Sequence, residues 1–387
     1  MSIAENIKKI TRDDLQILID NRIAENKELE YKNYTFTYGK LTRLADQQKN
    51  KLVKEIVAFA NTIGGTIIMG IQENEDRIPT IISGVGFSIK DFDEWLSSFR
   101  QLILSRIRPH IHGVDCIPVE LSEDNIAIVI FVPKSYSRPH SFWDGNKDEF
   151  FMRYANGITY MDIDDLRKAF VYSSILQDKI EQFRRNRISM ILANECVGNL
   201  GNDAKLVIHL IPEWSFEIGN NIDLEQIESN PYLTPISSDS YSSRYNADGY
   251  CIFRTNGQED ILNTYTQVFR NGIIEIVEIR LISNYKKGQV YDWYKLQEKI
   301  ITTLERYGMI IEDLKVPKPW HLSASLLNAK GYVVGGEWIG ISYPIERDII
   351  NSIEGICTED LSIKVALKPV LDSMSNAFGY SKSGYFE

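Results

Sequence analysis

Apolar residues recur along the chain with either helical or strand-like spacing, and the alternation of the two predicts an α+β protein. Spacing of three or four residues predicts helices over residues 11–26, 43–61, 89–108, 162–172, 290–307 and 345–353. Period-two or wholly apolar runs predict strands over residues 29–32, 66–71, 115–121, 126–132, 150–154, 206–211, 249–254, 264–282, 321–327 and 331–343. No internal repeat or low-complexity segment interrupts this order.

The first predicted strand carries its charged residues on one side. Leu29 and Tyr31 are predicted to face the core, whereas Glu30 and Lys32 share the opposite face. The stretch ENKELEYK, residues 25–32, holds three carboxylates and two lysines. Two interpretations are open at this point: an ordinary charged surface, or a set of acids that holds a cation.

A second acidic stretch follows the most apolar strand of the first half. The helix before that strand is predicted to stop at Asn61-Thr-Ile-Gly64-Gly65, because glycine readily takes the left-handed conformation that ends helices. The strand 66–71 is predicted to be buried on both faces, in the middle of a sheet. It leads directly into Gln72-Glu73-Asn74-Glu75-Asp76, which places a cluster of acids at a strand end.

The length of 387 residues is about right for two or three domains. We predict an α+β domain over residues 8–172 and a helical connector over residues 173–200. A second α+β domain is predicted over residues 201–387, as a candidate sensor, partner-binding or oligomerisation domain. Its function does not follow from its sequence.

Composition narrows the class of protein. The net charge of −10 argues against a surface coated with nucleic acid, although a local basic groove remains compatible with it. No apolar run is long enough to span a bilayer, and the first residues lack the apolar stretch of a signal peptide, so we expect a cytoplasmic protein. The four cysteines form no CxxC pair, which argues against a disulfide framework and against a cysteine zinc site.

Five pieces of the first half, in this order, resemble the Schlafen/AlbA-type domain. The resemblance covers about residues 8–172, and the AFANTxGG stretch is its most specific piece. The pieces are Glu25-x4-Glu30-x-Lys32, Ala58-Phe-Ala-Asn-Thr-x-Gly-Gly65, Ile68-Met-Gly-Ile71 with acids behind it, Arg138-Pro-His140 and Phe151-Met-Arg153.

The resemblance implies a metal-dependent endoribonuclease site of three carboxylates, which in nuclease-active members cuts tRNA-like RNA. The first two would be Glu25 and Glu30, and the third, just after the glycine-containing strand, would be Glu73. The third acid is a glutamate where an aspartate is usual, and Glu75 or Asp76 is an alternative for it. Such a set suits Mg²⁺ or Mn²⁺, which prefer oxygen ligands.

Several basic residues are candidates for contact with the substrate. Lys32 is predicted to neutralise charge that develops on the phosphate. The residues predicted to bind the nucleic-acid backbone are Arg100, Arg106, Arg108, Arg138, His140 and Arg153. For the Arg138-Pro-His140 stretch and Arg153, a second interpretation is that they only tie loops together.

Two functions from different classes remain. One is a metal-dependent endoribonuclease that acts on structured RNA such as tRNA, for which the family resemblance implies a role in bacterial stress or phage defence. The other is a non-catalytic DNA- or RNA-binding regulatory module resembling a transcriptional regulator, or a nucleotide-binding regulator. Since Schlafen cores resemble two AlbA-like lobes and this chain has one clear lobe, we also predict a homodimer, with a possible protein partner for the C-terminal domain.

Overall fold

The computed structural model confirms the predicted mixture of helices and strands. It describes residues 10–34, 46–154, 157–217, 219–238, 240–257, 261–279, 283–284, 293–333, 343–359 and 361–386. The chain divides into two units, Met1–Ser174 and Ile175–Glu387. No helix in these described ranges is both long enough and apolar enough to cross a membrane.

The first unit contains three complete helices and the start of a fourth, with ten strands in its described residues. The helices are α1 (Arg12–Asp20), α2 (Asp46–Asn61), α3 (Phe92–Arg106) and α4 (Ile163–Leu192). The strands are β1 (Leu29–Lys32), β2 (Gly65–Met69), β3 (Ile71–Glu73), β4 (Pro79–Ile82), β5 (Ile107–Arg108), β6 (Asp115–Ser122), β7 (Asn125–Val132), β8 (Ser141–Trp143), β9 (Asp148–Tyr154) and β10 (Gly157–Tyr160).

These strands form two four-stranded sheets and a hairpin. The first sheet has the order β1-β2-β7-β6, in which β1 and β2 are parallel and the other pairs antiparallel. The second sheet has the order β10-β9-β8-β5, and β3 pairs with β4. The central position predicted for the apolar strand is confirmed, since β2 lies between β1 and β7 and is buried almost throughout.

The first helix is shorter than predicted. A capping box of Thr11 and Asp14 starts α1, but α1 ends at Asp20 rather than near residue 26, because the chain turns at Asn21 and Arg22. In β1 all four side chains are buried, so Glu30 and Lys32 are not on an exposed face. Buried charges require partners, and those partners define the site described below.

The end of α2 shows why the AFANTxGG stretch has its composition. The Asn61 side-chain amide donates to the backbone carbonyls of His140 and Phe151, both at 2.8 Å, and its oxygen accepts from the His140 N–H at 2.7 Å. Gly64 has φ +79°, the left-handed conformation predicted for it. A Cβ at Gly65 would lie 2.2 Å from the Phe59 ring. This stretch therefore docks α2 on the second sheet.

The second unit is built on one large antiparallel sheet. Its helices are α5 (Leu224–Glu228), α6 (Trp293–Asp313) and α7 (Ile363–Ala377). Its strands are β11 (Lys205–Pro212), β12 (Ser242–Tyr245), β13 (Gly249–Thr255), β14 (Leu262–Phe269), β15 (Ile274–Glu278), β16 (Ser283–Asn284), β17 (Trp320–Leu327), β18 (Tyr332–Val333), β19 (Ile349–Asn351) and β20 (Gly355–Cys357). The sheet order is β12-β13-β14-β15-β11-β17-β19, and β20 also pairs with β17.

Several predictions for this half were wrong. The segment 345–353 contains strand β19 rather than a helix, and the segment 264–282 contains two strands joined by a turn. The helix α4 runs without a break to Leu192, so the predicted closing helix over 162–172 and most of the predicted helical connector over 173–200 belong to one helix. Of the predicted strand 331–343, residues 334–342 lie outside the described ranges.

The second unit buries a polar network that anchors the C-terminal part of α4. The Arg187 guanidinium donates to both oxygens of Glu275 at 2.9 and 2.8 Å. His209 Nε2 lies 3.0 Å from the same carboxylate, and the Tyr265 hydroxyl donates to it at 2.7 Å. Burial raises the pKa of Glu275, but the hydrogen bonds from Arg187 and His209 lower it to about 2. This network is satisfied internally and therefore has a structural role.

His321 makes the stability of the second unit depend on pH. Its Nε2 lies 2.9 Å from a Glu213 oxygen and its Nδ1 lies 3.2 Å from a Glu354 oxygen. Burial lowers the pKa of His321, but the two carboxylates raise it to about 9 from an ordinary 6.5. Protonated His321 therefore stabilises the fold fully below pH 6.5, and this stabilisation is lost as the pH rises through about 9.

We therefore expect the melting temperature to fall as the pH rises from 6.5 to beyond 9, and to fall less in a His321→Gln variant. Thermal unfolding followed by tryptophan fluorescence over this pH range measures both slopes. Equal slopes in the two proteins would contradict the role of His321.

Candidate functional site

A tight turn explains the five-residue spacing of the first two acids. Asn26 and Leu29 form an isolated antiparallel bridge, and the Glu28 N–H donates to the Asn26 side chain at 2.8 Å. The next facing positions across this turn are residues 25 and 30. The Tyr31 N–H donates to Glu25 Oε1 at 2.9 Å, which holds the Glu25 carboxylate beside β1.

The parallel pairing of β1 with β2 brings the third acid to the same place. After β2 the chain continues into β3, which ends at Glu73. Glu25, Glu30 and Glu73 line one cleft of about 390 Å³. The remaining residues that line this cleft are Tyr31, Lys32, Asn33, Tyr34, Lys51, Glu55, Arg77 and Gly157.

Four buried side chains at the base of the cleft form a closed set of ion pairs, which we call the charge ring: Glu30, Lys32, Glu55 and Arg153. The Lys32 ammonium contacts Glu30 and lies 3.5 Å from Glu55. The Arg153 guanidinium lies 2.6 Å from Glu30 and 2.9 Å from Glu55. Each side chain is at most 7 % exposed. Positive and negative groups alternate, so the charge ring is neutral when all four groups are ionised.

Arg153 also holds the turn that carries Glu25. Its guanidinium donates to the backbone carbonyl of Asn26 at 2.9 and 3.1 Å and to that of Leu29 at 3.1 Å. It lies over the Phe59 ring at 4.4 Å. These contacts engage and bury the guanidinium, which favours the second interpretation of Arg153, as a residue that ties loops together.

The charge ring sets the protonation of its members. Burial raises the pKa of Glu30, but Lys32 and Arg153 together bring it below its ordinary value. Burial and the neighbouring Glu30 raise the pKa of Glu55 to about 7. Burial lowers the pKa of Lys32, but Glu55 and Glu30 raise it above its ordinary value, so the ammonium remains charged.

Glu25 and Glu73 lie outside the charge ring. For both acids the effects that raise the pKa outweigh those that lower it. Burial and the negative charge of Glu30 raise the pKa of Glu25. Burial and the charges of Glu25 and Glu30 raise the pKa of Glu73 to about 7. Oε1 of Glu73 is buried, and no hydrogen-bond donor in the described part of the chain reaches it. Glu75 and Asp76 are exposed and do not line the cleft, so of the three candidates for the third acid Glu73 is the one that lies in it.

Comparison with known proteins identifies the family to which the domain in the first unit is similar. Residues 25–162, which begin at the first acid of the cleft, match the family model described as Schlafen, AlbA_2. Residues 25–162 are a Schlafen AlbA_2 domain. The match confirms the resemblance found in the sequence and indicates a function related to nucleic acids. It does not extend to the second unit.

The other comparisons add little. No curated protein matches the sequence. Among solved structures, the crystal structure of the DIP2311 protein from Corynebacterium diphtheriae is similar with 18 % identity and a TM-score of 0.26. That likeness covers 39 % of this chain and 27 % of the other, so the matched region spans about a quarter of that protein.

The donor atoms of the Schlafen AlbA_2 cleft suit a hard divalent cation. In the described ranges no group of three or more His, Cys, Asp or Glu side chains is arranged to hold a metal ion, and Glu30 belongs to the charge ring. The two remaining acids, Glu25 and Glu73, offer carboxylate oxygens, one of them buried and unpaired. Mg²⁺ commonly takes only one or two carboxylates, with waters and a substrate phosphate completing its shell. The residues therefore fit Mg²⁺ or Mn²⁺ with two protein carboxylates rather than three.

The Arg138-Pro-His140 stretch of this domain holds loops together. His140 is buried, with Nδ1 2.8 Å from the Pro109 carbonyl and Nε2 2.6 Å from the Ser135 hydroxyl. Burial lowers its pKa to about 4, so it is neutral at physiological pH. The Arg138 guanidinium donates to the carbonyls of Asn61 and Thr62 at 3.4 and 3.2 Å. The structural interpretation of this stretch is therefore favoured over phosphate binding.

The three arginines of the α3 region have different environments. Arg100 and Arg108 are exposed, and the Arg108 guanidinium stacks on Trp143 at 4.1 Å. Arg106 is half-buried and donates to the Trp143 carbonyl at 3.3 Å. Arg100 and Arg108 thus present positive charge at the surface, and their contact with a nucleic acid stays a prediction.

Sequence reasoning missed Glu55, Lys51 and Arg77 at the cleft. Glu55 lies in the second part of α2, residues 52–61, in which every residue except Lys54 is buried. The sequence did indicate that Glu55 is buried, because apolar residues flank Glu55 at positions 52, 53, 56 and 57. An acid enclosed in this way within a helix requires a buried cation, and Arg153 supplies it.

Proposed function

We propose that the Schlafen AlbA_2 domain is a metal-dependent endoribonuclease, and that Glu25 and Glu73 hold its Mg²⁺ or Mn²⁺. The observation that carries the proposal is the buried, unpaired oxygen of Glu73 in the same cleft as Glu25. The negative charge of Glu25 raises the pKa of Glu73, and a cation bound beside the two carboxylates would relieve this repulsion. The cleft therefore has a place for a cation that its own residues do not fill.

The residues around this pair suit a phosphodiester substrate. A cation bound there supplies Lewis-acid polarisation of the phosphodiester. Lys51 and Arg77 line the cleft and are exposed, which adds positive charge beside the path of a phosphate backbone. Glu30 acts from the base of the cleft: it pairs with Arg153, which holds the turn that presents Glu25. Structured RNA such as tRNA is the proposed substrate, with a homodimer as the proposed assembly.

A cleavage assay tests this function. The full chain is mixed with total tRNA, ribosomal RNA or single-stranded DNA, each with Mg²⁺, Mn²⁺ or EDTA. We expect RNA to be cut with a divalent cation present and left intact with EDTA. No cutting of any substrate under any of these conditions would contradict the proposal.

One observation favours a second function, a nucleic-acid-binding module that does not cut. The charge ring gives Glu30 a complete set of internal partners, as in a purely structural ion-pair network. A binding module needs only surface cations such as Arg100 and Arg108. Binding that is unchanged by EDTA, that is weakened by Arg108→Ala and that is never followed by cutting would support this alternative.

A further inference from the structure

Glu55 also lines the cleft. It belongs to none of the sequence motifs, and it is not one of the two proposed cation ligands, Glu25 and Glu73. It lies in the middle of α2 and is 3 % exposed. Its two oxygens face the two cations of the charge ring, Arg153 at 2.9 Å and Lys32 at 3.5 Å. The Arg153 guanidinium donates a hydrogen bond to the Glu55 carboxylate.

The charge balance of the ring depends on this residue. With Glu55 ionised, two carboxylates match two cations. Without it, Lys32 and Arg153 would share the single carboxylate of Glu30 and leave one positive charge in excess. The excess charge would lie beside Glu25 and Glu73, because Lys32 lines the same cleft as both acids.

We propose that Glu55 is a positioning residue for the cation site: it occupies Arg153 and Lys32, so that their charge does not neutralise Glu25 and Glu73. The proposal rests on the proposed function, since it assumes that these two acids bind a divalent cation. Glu55 touches neither the cation nor the substrate, and it acts through its two ion-pair partners. Groups that support metal ligands in this indirect way typically change metal affinity about 10- to 100-fold when they are replaced.

Glu149 provides a matched control in the same domain. It is also buried, and its carboxylate pairs with Lys54 at 2.9 Å and Lys147 at 2.7 Å. It does not line the cleft. Glu55→Gln and Glu149→Gln therefore remove the same charge from two buried carboxylates, each with two cationic partners, and only one of the two belongs to the charge ring.

The experiment is a titration of the full chain with Mn²⁺, followed by the electron paramagnetic resonance signal of the free ion. We expect Glu55→Gln to weaken Mn²⁺ binding about 10- to 100-fold and Glu149→Gln to leave it unchanged. Thermal unfolding of both variants shows whether lost stability alone accounts for the effect. A Glu55→Gln variant that binds Mn²⁺ as the wild type does would overturn the role of Glu55.

A double variant tests the charge argument and covers the case in which Glu55→Gln does not fold. Glu55→Gln with Lys32→Met leaves Glu30 and Arg153 as a neutral pair. We expect it to bind Mn²⁺ nearly as tightly as the wild type, and a double variant with 10-fold or weaker binding would overturn the proposal. A wild type that binds no Mn²⁺ would overturn the proposed function together with this inference, so the two failures are distinguishable.

Discussion

Replacing Glu73 with glutamine is expected to reduce metal-dependent RNA cleavage at least about 100-fold while leaving the protein folded. Glutamine has the same shape but offers the cation a neutral oxygen in place of a carboxylate. Because burial and two neighbouring acids raise the pKa of Glu73 to about 7, its ionisation opposes folding at neutral pH. The variant is therefore expected to melt at the same or a higher temperature. Initial cleavage rates at saturating Mn²⁺ and thermal unfolding measure the two effects.

Glu75 supplies the control for this prediction. It lies two residues further along the chain, is exposed and does not line the cleft. Glu75→Gln makes the same chemical change and is expected to cut RNA at the wild-type rate. Equal loss of activity in both variants, or full activity in Glu73→Gln, would contradict the assignment of the cleft.

Replacing Arg153 with methionine is expected to destabilise the first unit by about 3–5 kcal/mol, the usual cost of leaving a buried charge without its partner. Methionine fills part of the space but leaves Glu30 and Glu55 facing only Lys32. The backbone carbonyls of Asn26 and Leu29 also lose their donor. Urea unfolding of the full chain, followed by tryptophan fluorescence, measures the change in free energy of unfolding.

An exposed arginine on α4 serves for comparison. Arg167 pairs with Asp164 at 2.5 Å, and both side chains are about two-thirds exposed, at 67 % and 69 %. Surface pairs of this kind contribute at most about 1 kcal/mol. Arg167→Met is therefore expected to have little effect on unfolding. If Arg153→Met costs no more than Arg167→Met, the charge ring is not a buried structural element.

The part of the site formed by short-range structure could be predicted from the sequence. The spacing of Glu25 and Glu30 follows from one tight turn, and the end of α2 follows from glycine geometry at Gly64. The apolar run of β2 indicated a central strand, which fixed where the acids after it would emerge. Together with the family resemblance this was enough to name Glu73, although only the structure separates it from Glu75 and Asp76.

The long-range part of the site could not be predicted. Arg153 lies 98 residues from Glu55 and 123 from Glu30 in the sequence, and no periodicity links them. The strand-like alternation in β1 placed Glu30 and Lys32 on one face, but it could not show that pairing inside the charge ring allows both to be buried. The same limitation explains the error over 345–353, where pairing of β19 with β17 overrides a helical spacing of isoleucines.

The central claim is that Glu25 and Glu73 share a divalent cation, and anomalous diffraction tests it most directly. Crystals of the full chain grown with Mn²⁺ are measured at a wavelength where manganese scatters anomalously. The account predicts an anomalous peak in the cleft between the carboxylates of Glu25 and Glu73, absent from crystals of Glu73→Gln. A cleft without a peak at saturating Mn²⁺, or a peak elsewhere in the molecule alone, would contradict the account.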